Sequence, residues 1–139
     1  MVIKLFEHFV SEDLRKKQLL GKKFYHGTTL ETWKQSDHDE YLFIVDEFEV
    51  AKKHADDRTE SMVELEKNPF TSIVVEVVIN EKIINLDWHV DDNWGNWSRP
   101  PINFKHWWDS YEGAGSFVIS GKLDISDFKI VYSNKFFPE

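Results

Sequence analysis

The chain has 139 residues, 41% of them hydrophobic and 30% charged, a size and balance that point to one soluble globular core and exclude a fibrous or broadly disordered chain. Twenty-five acidic against seventeen basic residues leave a formal charge of -8, which repels phosphate backbones and withholds the counterion release that drives non-specific nucleic-acid binding. A small molecule or a protein is therefore the expected partner. The absence of cysteine excludes a disulfide framework and a zinc-thiolate site, and no metal is expected.

Along the chain, Ile3, Phe6, Val10 and Leu14 recur at helical spacing with Leu5 and Phe9 beside them, and Gly21 stands where a C-terminal cap belongs. A first helix is expected over 2–20. The basic cluster Arg15, Lys16, Lys17, Lys22 and Lys23 reads as a solvated face of that region. Glu7, His8, Glu12 and Asp13 interrupt the apolar run that a signal peptide needs, and no segment reaches the ~20 apolar residues of a membrane span, so a cytoplasmic location without membrane attachment is expected.

KKFYHGTT reads as a short strand turning sharply at Gly27 into a helix, TLETWKQS. EYLFIVD predicts a second strand, and Asp46 with Glu49 supplies a capping-box-like start for a helix through AKKHA, with Val50, Ala51, His54 and Ala55 on one face. TSIVVEVVIN is dominated by β-branched residues and predicts a strand, with NEK turning it into a hairpin with IINLD. GSFVISG and FKIVYS are expected to form a last strand pair around Gly121-Lys122. No repeat or linker divides the chain, so residues 1–139 read as one α+β domain.

The residues that carry chemistry begin with YHGTT at Tyr25 to Thr29, followed by LFIVDEFEVAKKHA at Leu42 to Ala55. An imidazole at a strand end can hydrogen-bond a ribose hydroxyl, and a glycine beside it lets the backbone approach a flat ring and pair with its amide. Together these two segments resemble the opening of an ADP-ribosyltransferase of the diphtheria-toxin and poly(ADP-ribose)-polymerase branch, in which a strand carries His-Gly-Thr or His-Gly-Ser, a second strand delivers an aromatic residue, and an Ala-rich helix follows. In element order the resemblance covers roughly residues 24–132. It implies a split mixed or antiparallel sheet with flanking helices behind the N-terminal helix.

The resemblance also implies that the chain binds NAD as substrate and breaks its nicotinamide glycosidic bond. His26 would grip the ribose as part of the catalytic set, Gly27 would hold the nicotinamide amide, and Thr28 would support the turn. Phe43 takes the place of the family's stacking tyrosine, Tyr41 offers a second ring on the same strand face, and His54 stands where a further aromatic belongs. Cleavage creates positive charge on the ribose, so a nearby carboxylate should lower the barrier. The family supplies a Glu at the start of a late strand; here that start is Ser116-Phe117, and the nearest carboxylates are Glu112, taken as the catalytic candidate, and Asp109. Glu76 lies mid-strand and is a poorer choice.

On this reading the chain is a mono-ADP-ribosyltransferase acting on a macromolecular acceptor, a protein before a nucleic acid, of the kind used as a bacterial or phage toxin or host-modifying factor. RNA 2′-phosphotransferases share an HGT-like word but use a basic phosphate grip that this acidic chain lacks. The rival from another class is a catalytically inactive acidic domain of inhibitor or immunity type that binds a protein through the Trp-rich segment 88–108, where five of the six tryptophans fall.

Overall fold

The computed structural model describes residues 12–35, 41–91, 105–124 and 127–139. In chain order, a helix of which residues 12–18 are described (α1) leads to β1 (Lys23–Thr29), α2 (Leu30–Gln35), β2 (Leu42–Val45), α3 (Phe48–Glu66), β3 (Phe70–Val78), α4 (Glu81–Ile84), β4 (Asp87–His89), α5 (Trp107–Ala114), β5 (Ser116–Ser120) and β6 (Lys129–Phe136). The strands form one six-stranded sheet in the order β4-β5-β2-β1-β3-β6, antiparallel at every junction. The chain is thus a small α+β domain. Residues 1–11, the larger part of the helix expected over 2–20, lie outside the described residues.

Strand alternation sends Phe24, Ile44, Val75, Val77, Phe117 and Ile119 to one face, where they pack with Trp33, Ile83, Trp88, Trp107 and Trp108 to form the main core. The other face carries Tyr25, Val45 and Val74 and is covered by α3 through Ala51 and Ala55. The buried row of α3 is Ala51, Ala55, Thr59 and Val63, one residue per helical turn, and its small members let the helix lie close to the sheet. Asp56 ties this helix down by accepting hydrogen bonds from Ser72 Oγ of β3 at 2.7 Å and from the Tyr132 hydroxyl of β6 at 2.9 Å.

Four local expectations are corrected. The NEK segment makes no hairpin: Asn80 accepts a hydrogen bond from the Ile83 N–H at 3.0 Å and caps α4, whose Ile83 and Ile84 enter the core, and β4 then pairs with β5. β5 and β6 are both strands but not partners, because Leu123 and Phe128 in their connection pack against the core and carry the chain across a face of the sheet, so that β6 joins β3. Asp46 does not cap α3, whose N-cap is Glu47 without a side-chain cap bond; its N–H donates instead to the Gly115 carbonyl at 2.8 Å. Gly27 is not a turn residue either, since β1 runs through it to Thr29 before α2 begins.

Candidate functional site

The site lies where β1 and β2 meet and part. These two central strands are paired only at Tyr25 opposite Val45. One residue further on, the imidazole of His26 spans the gap, with Nδ1 2.6 Å from the Phe43 carbonyl oxygen. A carbonyl can only accept, so the proton sits on Nδ1, and Nε2 is the acceptor whenever the ring is neutral. The ring is half-buried on the main-core side of the sheet, 5.9 Å from Trp33. Thr28 is buried in the same strand, and the start of α2 is held by its neighbour Thr29, whose Oγ1 accepts from the Thr32 N–H at 3.1 Å.

On the opposite face of the same strands is a cleft of about 210 Å³, room for one substituted ring rather than a whole dinucleotide. Gly27 and Tyr25 of β1 and Phe43 and Val45 of β2 form its floor; Val50, Ala51, Lys53, His54 and Asp57 of α3 form one wall; Asp91, Ala114 and Ser116 close the other. Gly27 is required here by close approach, because a Cβ on it would run into the Ala51 carbonyl oxygen. The far wall is set by the α5 to β5 corner. Gly115 there has φ 73°, and a Cβ would strike the Asp46 carboxylate, so the corner seats tightly against the end of β2 and delivers Ser116 to the cleft.

Phe43 and His54 face one another across the cleft with ring centroids 6.2 Å apart and planes 25° from parallel. A planar ligand sandwiched between two rings needs about 7 Å, twice the carbon contact distance, so an opening of under about 1 Å would admit one. Burial holds the His54 imidazole below its ordinary value of 6.5, reinforced by Arg58 and opposed by Asp57 and Asp91. The stability that goes with the neutral ring is complete above that ordinary value and is lost as the pH falls below it toward the depressed folded value. Proton NMR of the His54 ring should give a midpoint below 6.5, and wild type should lose more stability than His54→Gln between pH 7 and pH 5. A His54 midpoint at or above the ordinary value would contradict this placement.

The structure brings Gly27, Phe43 and His54 together around one cavity, while His26 and Thr28 point to the other face. Tyr41 stands beside β2 but is 71% exposed, its ring edge-on to His89 at 5.2 Å, and it does not line the cleft. Glu112 lies on α5, outside the cleft lining, with a side chain 63% exposed and ion-paired to Arg15 at 3.0 Å. Asp109 is in the first turn of the same helix. Glu76 on β3 lies 3.9 Å from Lys23. The carboxylates that do line the cleft, Asp57 and Asp91, escaped the sequence reading. A pair of acids directly after the strand LDWHV was the available signal for Asp91.

Of the Trp-rich segment, Trp88, Trp107 and Trp108 are buried in the main core, and Trp94 and Trp97 lie outside the described residues. Among the described residues no cluster of three or more His, Asp or Glu side chains is arranged to hold a metal ion, and no helix is long and apolar enough to cross a membrane. Comparison of the chain with protein-family models, with curated proteins and with solved structures gives no match.

Proposed function

We propose that the chain is a mono-ADP-ribosyltransferase that takes the nicotinamide end of NAD into this cleft and transfers ADP-ribose to a macromolecular acceptor, a protein in the first instance. The observation that carries this reading is convergence. Gly27, Phe43, His54 and the start of the late strand at Ser116 come from four different elements, were singled out by the resemblance for one ligand, and line a single cavity. The nicotinamide ring lies between Phe43 and His54, with its amide toward the backbone of Gly27.

His26 acts in this reading through Phe43, holding the carbonyl beneath the stacking ring and thereby fixing the ring's height over the cleft. Trp88, Trp107 and Trp108 are buried in the main core, so those three rings are not offered to a partner.

The test is NAD binding by calorimetry together with nicotinamide release followed by chromatography. Phe43→Ala should weaken NAD binding about tenfold, from lost stacking and lost apolar contact, while Tyr41→Ala should change it less than about twofold. Equal effects at the two positions, or no binding by wild type at millimolar NAD, would rule the reading out.

A further inference from the structure

Asp91 is 2% exposed, follows β4, and lines the cleft opposite α3. It is held at both its side chain and its backbone. Its Oδ2 accepts a hydrogen bond from Ser116 Oγ at 2.8 Å; its N–H donates to Ser110 Oγ at 3.2 Å; and Ser110 Oγ in turn donates to the Ser116 carbonyl at 2.6 Å. Both serines are buried. The bond from Ser116 requires only an acceptor oxygen, which an amide would supply equally well. A carboxylate at this place in the cleft wall adds a charge that an amide would not.

We propose that Asp91 is the catalytic carboxylate of this cleft, facing the ribose of NAD and stabilising the positive charge that develops there, with Ser116 as its positioning residue. The proposal rests on the reading of the cleft as the nicotinamide site. It names a residue from the end of β4, whereas the family's carboxylate stands on the late strand, where this chain has Ser116. In the step, the bond between ribose C1′ and the nicotinamide ring nitrogen breaks, and its electron pair leaves with neutral nicotinamide. C1′ takes a lone pair from the acceptor, or from water in hydrolysis, and the acceptor's proton passes to the Asp91 carboxylate and on to solvent.

The other acids are less suited. Asp57 is paired with Lys53 across one helical turn with its side chain 60% exposed, and the Arg15 guanidinium neutralises the exposed Glu112. Solvent screens both, whereas the Asp91 carboxylate is buried and held in place by Ser116, so little reorganisation is needed as charge develops. The Asp91 charge favours protonation of His54 on the facing wall.

The experiment is single-turnover release of nicotinamide from NAD by the full chain, alongside calorimetric NAD binding. Asp91→Asn keeps the acceptor for Ser116 and removes the charge, so release should slow by about a hundredfold or more while the Kd stays within about threefold. Ser116→Ala leaves the charge but frees it, and should lower the rate constant about tenfold with little change in Kd. It also serves as the test should Asp91→Asn fail to fold.

A full rate in Asp91→Asn, or in Ser116→Ala if the first variant does not fold, overturns the proposal. So does a loss of rate in Glu112→Gln that leaves Asp91→Asn active. If wild type binds NAD but releases no nicotinamide, the NAD site stands and the catalytic role of Asp91 falls; if wild type does not bind NAD at all, both fall.

Discussion

Gly27→Ala is expected to destabilise the protein by about 3 kcal/mol, the upper end of what overpacking a core usually costs. The added methyl would meet the carbonyl oxygen of Ala51, a backbone atom inside α3 that cannot swing aside as a flexible side chain could. Relief requires moving α3 bodily off β1, which also separates Val45 and Val74 from Ala51 and Ala55. Because domains of this size are stable by only about 5–15 kcal/mol, the loss should show plainly in urea denaturation as a lower midpoint. A second consequence follows at the site: His54 travels with α3, so the surviving folded protein should have a wider gap between His54 and Phe43. Wild-type stability in Gly27→Ala would mean that α3 packs further from β1 than described.

Trp88→Ala should cost about 3–5 kcal/mol, the range for truncating a large buried aromatic, and lower the Tm by about 10 °C or more. The indole stacks on Phe117 at 4.7 Å, meets Trp107 edge-on at 4.6 Å, and donates its N–H to the Ile83 carbonyl at 2.8 Å. Truncation therefore opens a cavity and removes one hydrogen bond from the Ile83 carbonyl, which keeps the Leu86 N–H at 3.1 Å. The measurement also decides whether Trp88 itself belongs to the core or to a contact surface. A tryptophan kept for a partner's surface would cost under about 0.5 kcal/mol of stability when removed and would abolish a protein contact instead. Mild destabilisation of Trp88→Ala would revive the contact-surface reading.

How much of this was legible beforehand varies with the range of the interaction involved. The strands around Phe24, Ile44, Val74, Phe117 and Val131 and the short helix at TLETWKQS follow from patterns that each segment carries within itself: β-branched runs, alternation, and a capping threonine. The meeting of Phe43 and His54 on one cavity was expected from the resemblance, and both lie in one continuous strand-helix segment.

By itself, then, the sequence determined the α+β class, strands β1, β2, β3, β5 and β6 though not β4, and the local spacing of Gly27, Phe43 and His54. Only the tertiary structure decided which strands pair, which face His26 takes, and which acids reach the cleft. Pairing of β6 with β3 rather than β5 depends on Leu123 and Phe128 finding the core, an apolar contact between residues distant in the chain. His26 and Gly27 are adjacent, but strand alternation and the one-sided position of α3 send the imidazole to the main core and leave the glycine to the cavity. Asp91 and Ser116 are 25 residues apart and meet because β4 and β5 are neighbours, an arrangement set by burial of Trp88 and Phe117 that no local pattern encodes.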